Sequence, residues 1–223
     1  MKSQNQNNTN NDYSSIINWK SLHAKSDEFN NSTPFRYGYI ENFFDSDFYE
    51  KLYDTYPKVD SDWYSSDQMY RKSMTSLVLK SDEETEFSHD DMFSKEWNEF
   101  KQYIMSDDFV KNMADYTNMP LKKTLHAIFI VLNRGDFLLP HVDGDGNYRQ
   151  KLDLMLYFSK DWKKGDPGGT YLASGEDEST IFLEPYNLDN SMVCFEQTPA
   201  SYHGVRNITK KVVRQALAVA FTI

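Results

Sequence analysis

The chain has 223 residues, of which 34 are acidic and 24 basic, for a formal net charge of −10, with 15% aromatic residues and one cysteine. That length suits one domain of about 150 to 200 residues plus a tail; the aromatics supply a core, and the acidic balance speaks against non-specific nucleic-acid or anionic-membrane binding. Cys194 alone forms no intrachain disulfide, no apolar run reaches about 18 residues, and the N-terminus lacks a signal-peptide core, so a soluble cytoplasmic protein is expected.

In chain order, residues 1–30 are rich in Asn, Gln and Ser and read as a largely flexible tail. Ile16, Ile17 and Trp19 form an apolar patch within it, suited to a short packed element. Residues 31–223 read as a single domain. Arg36 to Ile40 has the composition of a strand. Asp45 is placed to cap a helix ending before Pro57, with Phe48 and Leu52 at helical spacing. The aromatic, polar stretch from Asp62 to Lys72 reads as a surface loop, with a substrate lid of Trp63, Tyr64, Tyr70 and Arg71 as the functional alternative. Ser76 to Lys80 is a predicted strand, and the acidic run from Ser81 to Glu86 a solvated loop. Ser88 and Asp91 resemble a capping box. The helix expected after them carries Phe93, Trp97, Phe100 and Ile104 as a core stripe. A shorter helix starting at Asp107 or Asp108 and stopped by Asn118 and Pro120 follows.

From Leu125 the texture changes to short strand-like segments: Leu125–Leu132, Phe137–His141, Lys151–Phe158, Thr170–Ala173, Thr180–Leu183, Ser191–Glu196 and Val212–Thr222. Turns punctuate them at Arg134-Gly135-Asp136, Gly144-Asp145-Gly146, 165–169 and 184–187. Such spacing predicts a β-sandwich or barrel, supported by the N-terminal helices.

Within these strands, His141-Val142-Asp143 puts an imidazole and a carboxylate two residues apart. In extended backbone they share a face. With His203 they would make a two-His-one-carboxylate face, which suits non-haem Fe(II). An H-x-D triplet by itself is common, and its plain reading is turn chemistry. The order adds weight: H-x-D, a block of strands, a second His, then Arg214 heading an apolar strand, where a buried cation needs an anionic partner. Asp145 is a rival carboxylate, beyond a glycine. Arg206, Lys210 and Lys211 also follow His203 and are rivals of Arg214. His23, His89 and His126 have no partner pattern and read as non-ligands. Cys194 alternates with Met192 and reads as core.

These residues resemble the 2-oxoglutarate- and Fe(II)-dependent oxygenases, in particular the prolyl hydroxylase branch and the core of the HIF prolyl hydroxylases. The resemblance runs through His141-Val142-Asp143, Leu156 to Trp162, Gly168-Gly169, Glu184-Pro185, His203-x-Val205 and Arg214-x-Ala216, and covers about residues 125–222. It implies a jelly-roll (double-stranded β-helix) core. His141, Asp143 and His203 would hold the iron, while Arg214 and Tyr157 would bind the distal carboxylate of 2-oxoglutarate. Tyr157 also has a plain reading as a buried strand aromatic, and Asp161-Trp162 and Gly168-Gly169 read as structural. Two departures lie near the pocket: a longer His203-to-Arg214 turn, and Ala220 where an aromatic is expected.

The implied activity is hydroxylation of a C–H bond coupled to oxidative decarboxylation of 2-oxoglutarate, with O2 and, as reductant, ascorbate. A prolyl residue of a protein or peptide is the leading substrate, ahead of a free amino acid or other small metabolite. Two other classes are a jelly-roll module that binds metal without turnover and a zinc hydrolase using the same triad. The hydrolase reading lacks a general base near the ligands and leaves Arg214 unexplained. No nucleic-acid or membrane partner is expected; oligomeric state is not legible.

Overall fold

The structure, a computed structural model, describes residues 13, 15–68, 71–143 and 150–223. The opening dozen residues, Tyr70 and the Gly144-Asp145-Gly146 turn with the rival carboxylate Asp145 lie outside the described residues. Short helices α1 (Trp19–His23) and α2 (Ser26–Asn30) precede strand β1 (Tyr37–Glu41) and helix α3 (Ser46–Asp54). Strands β2 (Tyr64–Gln68) and β3 (Arg71–Lys80) lead to helices α4 (Lys95–Ile104) and α5 (Asp107–Thr117). The remainder is β4 (Lys123–Leu132), β5 (Phe137–His141), β6 (Leu152–Phe158), β7 (Thr170–Ala173), β8 (Ile181–Leu183), β9 (Asp189–Glu196), β10 (Tyr202–Val205) and β11 (Arg214–Thr222). No helix among the described residues is long and apolar enough to cross a membrane.

The strands pair antiparallel in the order β1-β9-β6-β11-β4-β3-β5-β10-β7-β8, with β2 hairpinned onto β3. Side chains alternate across a strand, and the central strands use that alternation to build two interiors. Leu217, Val219 and Phe221 of β11, with Leu152, Leu154 and Leu156 of β6 and Phe129 of β4, pack against Trp97, Phe100 and Phe109 of the helices. The opposite face of the same strands turns toward β7 and β10. The Tyr157 hydroxyl accepts the Thr170 N–H at 2.8 Å, and the Phe195 and His203 rings stand 4.7 Å apart. The ladder therefore folds over on itself as two facing sheets, the expected jelly roll, with helices covering one outer face.

Helix ends follow local chemistry. Asp45 caps α3 by accepting the N–H groups of Asp47 and Phe48 at 3.0 and 3.4 Å. Ser106 caps α5 through the Phe109 N–H, and Asn118 ends it in left-handed backbone. The expected start of α4 at Ser88 is corrected: Ser94 is the cap, accepting the Trp97 N–H at 3.2 Å. The Asn98 side chain, bonded to both backbone groups of Asp90, ties the preceding turn to the helix. The core stripe Phe93, Trp97, Phe100 and Ile104 is buried as expected.

Two further expectations are revised, and one strand was not foreseen. The Ile16-Ile17-Trp19 patch packs as expected, but the order extends through the rest of residues 15–30, assigned to a largely flexible tail: Ile16, Ile17, Leu22 and Phe29 are buried, and Trp19 donates to the Tyr103 hydroxyl at 2.7 Å. Their polar neighbours hide a sparse but sufficient apolar set. The 62–72 stretch is not a loop but largely the β2–β3 hairpin; it is polar because β2 is an edge strand with four of its five residues exposed. Trp63 is buried with its indole N–H on the Lys58 carbonyl, whereas Tyr64 is exposed. Finally, β10 has no sequence signature of its own. Its four residues are held by β5 on one side and β7 on the other.

Candidate functional site

Pairing of β5 with β10 sets His141 directly opposite His203, with ring centroids 4.4 Å apart. Asp143 lies two residues past the end of β5. Its Oδ1 is 3.5 Å from His141 Nε2, and its Oδ2 is 3.3 Å from His203 Nε2. One potential ligand atom from each residue lies within 4.8 Å of the other two. Each imidazole is oriented from behind: His141 Nδ1 meets the Leu139 carbonyl at 2.8 Å, and His203 Nδ1 meets that of Ser201 at 3.1 Å. A carbonyl only accepts, so both Nδ1 atoms carry protons, and each Nε2, turned toward Asp143, is the atom left to donate to the carboxylate when protonated or to ligate a metal when not. Burial raises the Asp143 pKa, but the imidazoles of His203 and His141 outweigh it and hold the carboxyl below its usual range. Once a metal displaces any Nε2 proton, this is a compact set of two imidazoles and one carboxylate, suited to a divalent ion with positions left open.

Arg214 heads β11 and is 1% exposed. Its Nε donates to the Gly168 carbonyl at 2.6 Å and an Nη to Thr170 Oγ1 at 3.0 Å. Its guanidinium carbon is 5.3 Å from the Tyr157 ring centroid. No carboxylate among the described residues pairs with it, and desolvation pulls its pKa down. A guanidinium has five N–H donors, so several remain for an anion. The rivals are committed or exposed. Arg206 Nη2 is paired with Glu184 at 2.6 Å, Lys210 with Asp166 at 2.7 Å, and Lys211 is on the surface.

Residues 126–222 match the sequence model of the family described as the 2OG-Fe(II) oxygenase superfamily. The match covers 97 of the chain's 223 residues. The chain is also 28% identical over 111 residues to the prolyl 3-hydroxylase OGFOD1 of Xenopus laevis, an alignment covering 48% of this chain and 21% of that protein. It thus spans about a fifth of the length of this relative. In fold it is similar to a prolyl-4-hydroxylase of Pseudomonas putida, with TM-score 0.63, 13% identity, and coverage of 90% of this chain and 98% of that one. It is likewise similar to a Trichoplax adhaerens prolyl hydroxylase in complex with a hypoxia inducible factor oxygen degradation domain peptide fragment. That match has TM-score 0.61, 11% identity, and coverage of 92% of this chain and 88% of that one.

The matched family's chemistry uses Fe(II), 2-oxoglutarate and O2, and this segment supplies a donor set that fits the first and a buried cation with no carboxylate partner among the described residues that fits the second. Both border one cavity of about 350 Å³. Tyr157 does not line it. Its ring backs the Arg214 guanidinium, and its hydroxyl holds the Thr170 backbone, so its clearest contact is with the cation rather than with the cavity. Gly169 fits its structural reading, because a Cβ there would meet the Pro185 carbonyl oxygen at 2.1 Å. His23 and His89 are engaged elsewhere, with the Asn112 carbonyl and Asp91. Cys194 is buried core, its sulfur 3.8 Å from the Tyr116 hydroxyl.

Beyond Arg71, which the lid alternative names, sequence reasoning missed the polar lining. Arg71, His126, Gln150, Asp153 and Thr170 all border the cavity. Asp153, Ala220 and His126 are cross-strand partners in a row over β6, β11 and β4, on the cavity face. The signal for Asp153 is its phase: it alternates with Leu152 and Leu154 and so shares a face with Tyr157. Burial, reinforced by Asp143 nearby, pushes the Asp153 pKa up to about 7, against the opposing pull of amide bonds from Gln197 and Gln150. Gln197 has no such signature.

Proposed function

We propose that the chain is an Fe(II)- and 2-oxoglutarate-dependent dioxygenase that hydroxylates a C–H bond, with a prolyl residue of a protein or peptide as the leading substrate. The observation that carries this reading is the coincidence, on one cavity, of the His141–Asp143–His203 face and the unpaired buried Arg214. His141, Asp143 and His203 would hold the iron. Arg214 would take the distal carboxylate of 2-oxoglutarate, a role for which a bidentate guanidinium fork is well shaped, and Tyr157 would support it. Bound iron and 2-oxoglutarate supply the oxidising power; the protein's part is to position, to exclude water and to keep both imidazoles in the Nδ1–H form. Residues 31–223 would act as one catalytic domain. The prolyl preference rests on the relatives that carry prolyl hydroxylase names.

The test is succinate release from 2-oxoglutarate with Fe(II) and ascorbate, alongside a screen of prolyl peptides, free amino acids and metabolites read by a 16-dalton gain. Turnover is expected in the wild type. His141→Ala, Asp143→Ala and His203→Ala are each expected to abolish it with the fold intact, because a three-donor face has no spare ligand. Metal binding without succinate release, with or without any substrate, would instead identify a non-catalytic binding module. A mass gain confined to a free amino acid would move the substrate to that class.

A further inference from the structure

Between the proposed metal-binding face and the second acid of the cavity lies Gln197, 5% exposed. It sits just after β9, with its backbone N–H on the Lys151 carbonyl at 2.9 Å. Its amide nitrogen donates to Asp143 Oδ2 at 3.2 Å and also to Asp153 Oδ2. Its amide oxygen lies 3.2 Å from the Ser201 hydroxyl. This orientation is chemically forced: the flipped amide would aim a carbonyl oxygen at two carboxyl groups. Gln150 donates to the other oxygen of Asp153. The contact reaches His203 as well, since the Ser201 carbonyl orients that ring from behind.

Two carboxyl groups thus stand at one site, and only one is met by both imidazoles. We propose that Gln197 is a positioning residue that fixes Asp143 as the carboxylate of the metal centre and holds Asp153 away from it. Its two N–H groups occupy one oxygen of each acid, so Asp143 presents its oxygens to His141 and His203 while Asp153 is turned toward the amides. Without that donor pair Asp153 keeps, among the described contacts, only its Gln150 bond and Asp143 loses its amide donor, so the second acid is freer to compete for the cation or to repel the first. Groups that orient a ligand from outside the coordination sphere typically change metal affinity about 10- to 100-fold when removed.

The inference rests on the metal-centre reading above, and the experiment separates the two. Mn(II) is titrated calorimetrically into the metal-free full chain, and Co(II) absorption spectra report ligand geometry, for wild type, Gln197→Leu, Gln197→Ala, Asp153→Asn and His203→Ala. Circular dichroism checks folding, with the alanine variant guarding against a leucine that packs badly. Wild type is expected to bind one equivalent, and His203→Ala to lose it. Both Gln197 variants are expected to bind about 10- to 100-fold more weakly, with a shifted Co(II) spectrum. Asp153→Asn is expected to stay within a few-fold of wild type, because the Gln197–Asp143 bond remains. In the double variant Gln197→Leu/Asp153→Asn, removal of the competing acid should restore part of the Co(II) spectrum. Wild-type affinity and spectrum in folded Gln197 variants would overturn the proposal, as would a loss in Asp153→Asn equal to that in Gln197→Leu. If His203→Ala binds like wild type, the metal-centre reading itself fails.

Discussion

Arg214 is the side chain whose removal has the most readily separated consequence. It is buried and donates to Gly168 and Thr170, with no carboxylate partner among the described residues. Arg214→Ala is expected to weaken 2-oxoglutarate binding by about 3 to 5 kcal/mol, the usual loss when a buried anion is left without its cation. Mn(II) affinity should hold, since no proposed metal ligand changes. Calorimetry with 2-oxoglutarate on Mn(II)-loaded protein measures it, with Arg206→Ala as the comparison. Arg206 is tied to Glu184, so its loss should leave 2-oxoglutarate binding near wild type; the reverse ranking would reassign the cation. Tyr157→Phe strips the Thr170 N–H of its acceptor and leaves the guanidinium less well braced. That unsatisfied donor is expected to cost about 1 to 3 kcal/mol of folding stability, with a smaller loss of 2-oxoglutarate affinity than in Arg214→Ala.

At the scale of elements, the proposed metal-binding face depends on how closely β10 approaches β5. A Cβ on Gly204 would meet the Tyr171 hydroxyl at 2.4 Å and the Leu138 carbonyl oxygen at 2.5 Å, and the second of these is backbone that cannot swing aside. Gly204→Ala is therefore expected to push β10 off β5, part His141 from His203, and weaken Mn(II) binding at least about tenfold, in the range seen when ligand orientation is disturbed. Wild-type Mn(II) affinity in a folded Gly204→Ala protein would show that the two strands tolerate the separation. The same dependence explains what the sequence could and could not reveal. Strands β4, β6 and β11 are long and their period is visible, and Arg214 stands out as a charge at the head of an apolar run. The two histidines and Asp143 were legible as a spaced pattern. Strand β10 was not, because Tyr202–Val205 is strand only through its neighbours. The β2–β3 hairpin was hidden for a related reason: an edge strand that is mostly exposed carries no apolar alternation. Gln197 and Gln150 were invisible because an amide shows no periodicity and acquires its role from the acids that folding brings to it.

For the molecule as a whole, the cavity couples stability to pH through its second acid. In metal-free protein, burial and the neighbouring Asp143 raise the Asp153 pKa to about 7, whereas an unfolded aspartate titrates near about 3.9. A carboxyl with a raised folded pKa binds its proton more tightly in the native state. Its contribution is full below about pH 4 and is lost as pH rises through about 7. Asp153→Asn keeps a neutral side chain of the same shape at every pH and has no such loss. The metal-free variant is therefore expected to gain on wild type steadily from pH 4 to pH 8, by at least about 1 kcal/mol, or about 2–4 °C in Tm for a domain of this size. Asp143, whose folded pKa is shifted the other way by His203 and His141, loses its contribution as pH falls, but it does so in both proteins and largely cancels in the comparison. Thermal melts of metal-free wild type and Asp153→Asn across this range provide the measurement. Two Tm curves that run parallel from pH 4 to pH 8 would mean that Asp153 ionises in the folded protein as it does in water, and that its two amide partners offset the whole cost of burial.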